Sequence, residues 1–152
     1  MEKEKLKEQI RSQLIAGLDE KITLLHKEIA STQESRNADT KSSAGDKYET
    51  GRAMAQMELE KNQATLSRTI KLRKELLMMD LEKKFDKVEF GSLVFTKQGN
   101  YFISFGLGKI TVSKQDYYAI SLGSPIGKAL YQKSAGDIVV FQGREILVLE
   151  VF

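Results

Sequence analysis

The chain has 152 residues, 41% of them hydrophobic and 30% charged, so it can bury one core or two small ones. It contains no cysteine, which excludes a disulfide framework, a thiolate metal site and a cysteine nucleophile. The formal charge of +3 is too small to predict nucleic-acid binding from electrostatics alone. No apolar run approaches the ~20 residues of a membrane span, and no signal-peptide core follows Met1. We therefore expect a cytoplasmic protein with no membrane partner.

The first third of the chain has the pattern of a coiled-coil helix. From Glu2 to about Ser35, apolar residues recur at steps of three and four: Leu6, Ile10, Ile15, Leu18, Ile22, Leu25 and Ile29. Charged and amide side chains occupy the other faces, which is typical of a helix that packs along one seam. His26 lies on the flank of this seam and is predicted to be solvated, because a single histidine makes a poor metal site.

A second long helix is predicted from about Asp46 to Lys84. Residues 31–43 are polar and have no apolar period, so the first helix should end there, with Gly45 marking the bend of a hairpin. On the second helix, the residues expected to face the first are Met54, Met57, Leu66, Ile70, Leu77 and Leu81. About 35 residues at 1.5 Å rise would extend roughly 50 Å.

Two carboxylates follow the bend. Asp46 and Glu49 are three residues apart, which places them on one face of the first turn, where the helix dipole favours negative charge. One interpretation is structural, with Asp46 as the N-cap and Glu49 as its capping-box partner. The other is an acidic functional site, and both can hold together.

The residue pattern changes at Phe85. Short runs rich in aromatic and β-branched residues predict strands over 88–96, 101–106, 109–112, 117–121, 138–142 and 145–151. Ser124 and Pro125 have the types expected at the N-cap and first position of a short helix, and hairpin turns are expected at 98–100 and 142–143. We therefore predict an α+β chain, with an antiparallel coiled-coil hairpin over 1–85, its acidic tip near 39–52, and an antiparallel β domain with one short helix over 86–152.

The second half resembles the C-terminal domain of the bacterial Gre transcript cleavage factors (GreA/GreB). The resemblance rests on Ser-Pro-Ile-Gly-Lys-Ala-Leu at 124–130, Gly-Asp before a strand at 136–137, and the apolar run at 146–151. In that family an FKBP-like domain follows a coiled-coil hairpin, which is the order found here. The family's tip motif, Gly-Asp-x-x-Glu-Asn-Ala-Glu-Tyr, is matched by Gly45, Asp46 and Glu49.

The resemblance implies a transcription elongation factor that enters the secondary channel of bacterial RNA polymerase. Asp46 and Glu49 would help to hold the Mg²⁺ ion of the polymerase active site, since a hard cation prefers carboxylate oxygens. The protein would act as a monomer, without a cofactor of its own, and promote cleavage of backtracked RNA near its 3′ end by the polymerase. It would not itself be an enzyme. Candidate contacts with polymerase are Ser124, Pro125, Ile126 and Gly127.

The tip departs from the family pattern after Glu49. Thr50-Gly51-Arg52-Ala53 replaces Asn-Ala-Glu-Tyr, so a base stands where the family has an acid. One alternative is therefore a Gre-like channel-binding regulator without cleavage activity. Whether Asp39 assists the acidic pair stays open.

Two further alternatives come from other functional classes. The long helices could form an adapter or a dimerisation rod. The β domain could be an FKBP-like prolyl isomerase with an aromatic pocket built from Tyr101, Phe102, Phe105, Tyr117 and Tyr118. A basic cluster at Arg68, Lys71, Arg73 and Lys74 is interpreted as a solvated face balanced by Glu75, Asp80 and Glu82, with contact to polymerase or RNA as its alternative.

Overall fold

The structure is a computed structural model that describes residues 2–39 and 45–152, with side chains described for 2–35 and 49–152. Two long helices come first, α1 (Glu2–Asp39) and α2 (Gly45–Met78). The chain divides into two compact units. We call Ala16–Glu75 the helical unit, and Met1–Ile15 together with Leu76–Phe152 the sheet unit.

In the helical unit, α1 and α2 run antiparallel, as predicted. Arg73 of α2 meets Asp19 of α1, with Nε 2.5 Å from Oδ1. Arg11, eight residues earlier on α1, contacts the carbonyl oxygens of Leu76 and Leu77, later on α2. Neighbours on α2 therefore move backwards along the chain as α1 advances, which is the geometry of a helical hairpin.

The seam of α1 is close to the prediction. Ile10, Leu18 and Leu25 are buried, and Leu6, Ile15, Ile22 and Ile29 are half-buried. The helix is described through Asp39, which lies within the polar segment 31–43 where it was predicted to end. Gly45, which was predicted to mark the bend, is the first residue of α2, and residues 40–44 lie outside the described residues.

The predicted seam of α2 is largely wrong. Met54, Met57, Ile70 and Leu77 are 47–70% exposed, so they do not pack against α1. Instead, among the buried and half-buried positions of α2 in the helical unit, one series recurs at steps of three and four: Leu59, Asn62, Leu66, Thr69 and Arg73. Three of these five side chains are polar, which is why a search for apolar periodicity selected other residues.

Helix α2 ends at Met78, six residues before the predicted end at Lys84. The guanidinium of Arg11, on α1, lies over the end of the helix. Its Nη1 donates hydrogen bonds to the carbonyl oxygens of Leu76 (3.4 Å), Leu77 (3.4 Å) and Met79 (3.1 Å). The last carbonyls of a helix have no partner within the helix, so a cation from another segment stabilises the chain where it stops.

The sheet unit contains six strands, all near their predicted positions. They are β1 (Leu93–Thr96), β2 (Gly99–Ile103), β3 (Gly108–Val112), β4 (Gln115–Ile120), β5 (Ile138–Phe141) and β6 (Arg144–Val151). Their order in the sheet is β3-β4-β2-β1-β6-β5. The strand predicted over 88–96 starts late, because β1 begins at Leu93.

One strand pairing differs from the antiparallel prediction. Strands β2 and β4 are parallel, with Tyr101 opposite Tyr118 and Ile103 opposite Ile120. The cause is topological: β3 crosses to the edge, and β4 returns between β3 and β2 in the direction of β2. The other four pairings are antiparallel.

A short helix, α3 (Pro125–Leu130), packs beside the sheet and closes the core. The buried cluster takes one residue from this helix, Leu130, and the others from the strands and from the chain before β1: Val88, Val94, Ile103, Val139, Ile146 and Val148. Gln142 and Gly143 form the predicted hairpin turn, with φ of 52° and 76°. The α+β architecture predicted from the sequence is thereby confirmed.

Candidate functional site

Glu49 is the described member of the predicted acidic pair. It lies near the start of α2, and its side chain is exposed. No described cation lies within ion-pairing distance of its carboxylate. The side chains of Asp46 and Asp39 lie outside the described residues. Because α2 begins at Gly45, Asp46 belongs to the first turn of the helix and does not occupy the N-cap position.

The turns after Glu49 expose a mixed surface. Thr50, Arg52 and Ala53 are exposed, and Met54 is 66% exposed. Arg52 follows Glu49 by three residues, so both lie on one face of the helix. The base that departs from the family pattern is therefore a close neighbour of the acid that matches it. From Glu49 to Glu75, α2 extends about 40 Å at 1.5 Å per residue.

The described residues do not form a metal site by themselves. They include no cluster of three acidic or histidine side chains that could hold a cation. His26 is exposed, as predicted.

Within the candidate contact motif at 124–127, three residues have structural roles. The Ser124 hydroxyl donates to the Ser121 carbonyl oxygen (2.7 Å) and accepts from the Gly127 N–H (3.1 Å), so it caps α3. Gly127 is buried, and a Cβ added there would lie 2.0 Å from the Ser121 oxygen. Ile126 packs against the core, whereas Pro125 is exposed at the helix start. Pro125 is therefore the member of the motif best placed to touch a partner.

The aromatic residues of the proposed isomerase pocket lie in separate places. Phe102 and Tyr117 are buried in the sheet unit, at 0% and 5% exposure. Tyr101 pairs with Tyr118 at 6.0 Å between ring centroids, while Phe105 packs on Phe90 at 5.6 Å. Burial raises the pKa of Tyr101 and of Tyr117, so neither phenol is activated as a base. This arrangement favours a packing role for the rings.

Lys7 was not among the residues selected from the sequence, and it is fully buried in the sheet unit. Its ammonium lies 4.9 Å from the ring centroids of Phe85 and Phe152 and has no hydrogen-bond partner among the described residues. Burial lowers its pKa to about 8 from the ordinary 10.5, while Asp80 and Glu4 oppose the shift. A spacing of three from Ile10 was the available signal, because it places Lys7 on the seam.

Comparison with known proteins gives one result. No family model and no curated protein matches the chain. Among solved structures, one described as the structure of the transcription factor Gfh1 covers 93% of this chain and 92% of its own. This chain is similar to Gfh1. The sequence identity is 18% and the TM-score is 0.35, so the likeness to Gfh1 carries no functional argument. Across the described residues, no helix combines the length and apolarity that a membrane span requires.

Proposed function

We propose that the protein is a Gre-type transcription elongation factor. The observation that carries the proposal is the match of Gly45, Asp46 and Glu49 to the tip motif, at the start of a long helix where Glu49 is exposed. The Ser-Pro-Ile-Gly motif supports it, because in this chain that motif builds a capped helix against the sheet. The α+β architecture has the order that the family resemblance implies.

The proposed action takes place in the secondary channel of bacterial RNA polymerase. A narrow helical pair can enter a channel that a globular domain cannot. Glu49 and Asp46 would then add carboxylate oxygens to the active-site Mg²⁺, which activates the water that attacks the backtracked RNA. Polymerase breaks the phosphodiester bond of the RNA, and the carboxylates of this chain would add negative charge beside the metal ion and help to position it.

A second candidate is a channel-binding regulator that does not stimulate cleavage. Arg52 favours it, because a cation one turn from Glu49 weakens the local attraction for a metal ion. The two candidates share the docking mode and differ in what the tip does once it is inside.

The test measures RNA cleavage in a stalled, backtracked elongation complex at equal occupancy of the factor. The Asp46→Asn/Glu49→Gln variant should lose stimulation by at least tenfold, whereas Glu58→Gln, at an exposed acid further along α2, should retain it. Absence of polymerase binding by the wild-type protein would overturn the proposal. If the wild-type protein binds polymerase without stimulating cleavage, and the Arg52→Glu variant does stimulate it, the regulator is the correct candidate.

A further inference from the structure

A notch in the helical unit gathers three cations around a small volume. It measures about 320 Å³, near the lower end of the range of small-molecule sites. Its lining combines one residue of α1 with six of α2: Lys21, Thr65, Arg68, Thr69, Lys71, Leu72 and Glu75. With one carboxylate against three cations, the lining carries a formal charge of +2.

The three cations form no ion pair within the part of the chain whose side chains are described. Among the described residues, Lys21, Arg68 and Lys71 have no carboxylate within 4 Å. Asp19, two residues before Lys21 on α1, is engaged by Arg73. Of the predicted basic cluster, Arg73 is thus balanced, and by an acid that the sequence did not suggest. Arg68 and Lys71 keep their charge available.

Local hydrogen bonds hold the arginine in place. Arg68 Nη2 donates to Thr65 Oγ1 (3.1 Å), and that hydroxyl donates to the Lys61 carbonyl oxygen (3.0 Å). One edge of the guanidinium is therefore fixed, and its other N–H groups stay available for a ligand. Thr69, which is 2% exposed, lies at the floor of the notch and donates to the Thr65 carbonyl oxygen (2.7 Å). Its hydroxyl proton is therefore already bonded within α2 and does not need a ligand as its acceptor.

Positive charge is not a general property of depressions on this surface. A second notch in the helical unit contains Asp19, Glu20 and Lys27, which sum to a charge of −1. A notch in the sheet unit has Glu8 as its charged residue. The concentration of cations at Arg68 is therefore local.

We propose that this notch binds a small oligophosphate, such as a pyrophosphate or the phosphate chain of a nucleotide. A guanidinium matches two oxygens of one phosphate, and the two lysines supply point charges for the next. A ligand with two or three linked phosphates carries the charge that the three cations balance, in a volume of this size. The notch shares no residue with the acidic tip, so the result of this test does not depend on whether the proposed function is correct.

The experiment is calorimetric titration of the full chain with inorganic tripolyphosphate in 0.15 M salt without divalent cations. Arg68→Gln and Lys21→Gln should each weaken binding about tenfold, the effect expected for one charged hydrogen-bonding group. Lys61→Gln removes an exposed cation of α2 outside the notch and should leave binding unchanged. Circular dichroism of each variant checks that the helices persist.

Other outcomes overturn the proposal. Absence of binding, or equal weakening by Lys61→Gln, would show diffuse attraction in place of a site. Equal affinity for inorganic monophosphate would exclude a preference for linked phosphates. A single-stranded RNA that binds the wild-type protein and is not displaced by tripolyphosphate would assign the cations to a nucleic-acid backbone.

Discussion

The helical unit and the sheet unit differ in what they bury. In the sheet unit, strands and α3 enclose a continuous apolar cluster that includes Val88, Val94 and Ile103. In the helical unit, the buried residues among those described are Leu18, Leu25, Leu59 and Thr69. Burial of apolar area is the main source of stability, so most of it resides in the sheet unit.

The difference separates stability from the proposed chemistry. Glu49 and the oligophosphate notch both belong to the helical unit, which has few buried residues. Units with few buried contacts open more easily than a packed core. We therefore expect a glycine-to-alanine substitution to have opposite effects in the two units. Gly127→Ala and Gly17→Ala test this, and the pH response of Lys7 tests the packed interior of the sheet unit.

The largest effect is expected for Gly127→Ala in the sheet unit. The added Cβ would meet the Ser121 carbonyl oxygen at 2.0 Å, and neither backbone segment can move without breaking the Ser124 cap. We expect the free energy of unfolding to fall by about 4 kcal/mol, as for severe overpacking. Urea denaturation followed by circular dichroism measures it. A loss below 1 kcal/mol would show that the α3 region adapts and would contradict the rigid packing described for the sheet unit.

The second effect concerns Lys7 and pH. Its folded pKa of about 8 lies below the ordinary 10.5, so between these values the unfolded chain binds a proton that the folded chain does not. The free energy of unfolding should therefore rise by about 3 kcal/mol as pH increases from 8 to 10.5. Lys7→Met should be more stable than the wild type at pH 7 and should lack this rise.

Denaturation of the wild type and of Lys7→Met from pH 8 to 10.5 measures the difference between their free energies of unfolding. Groups that titrate equally in both proteins cancel in that difference. Lys5→Met, at an exposed position of the same helix, is the matched control and should keep the wild-type pH profile. Identical pH profiles for Lys7→Met and the wild type would mean that Lys7 is hydrated in solution.

The smallest effect is expected for Gly17→Ala in the helical unit, and its sign is opposite. Gly17 is exposed within α1, and a Cβ there would meet no atom within 4 Å. Alanine is favoured over glycine in a helix by about 1 kcal/mol, so the variant should be more stable. Amide hydrogen exchange locates the gain, which should appear as slower exchange in residues 16–35. Faster exchange there would indicate a contact at Gly17 that the fold does not show.

How far the sequence predicted the fold depends on which physical rule dominates each element. The seam of α1 could be predicted because leucine and isoleucine occupy it at the coiled-coil spacing. The seam of α2 could not, because Asn62, Thr69 and Arg73 occupy inward positions while Met54 and Met57 are exposed. Tertiary packing overrides hydrophobic periodicity where polar groups find partners, as Arg73 does with Asp19.

The sites show the same division. Glu49 could be selected because a motif and a helix start coincide in the sequence. The spacing from Ile10 places Lys7 on the seam, and Arg68 and Lys71 belong to the predicted basic cluster. The burial of Lys7 and the approach of Lys21 to Arg68 could not be predicted, since they depend on residues that meet only after folding. The turn at Ser113 and Lys114, with φ of 51° and 67°, also lacks the glycine or asparagine that would have signalled it.

The position of β6 in the sheet has a consequence for the order of folding. This strand lies between β1 and β5, and Val94 of β1 pairs with Val151 of β6, 57 residues later in the chain. One side of β1 therefore stays without a partner while the intervening residues are synthesised. Contacts between distant residues form slowly, whereas helices form in microseconds or less. During synthesis, the helices can form long before the sheet closes, and the exposed edge of β1 is the segment most in need of protection from aggregation.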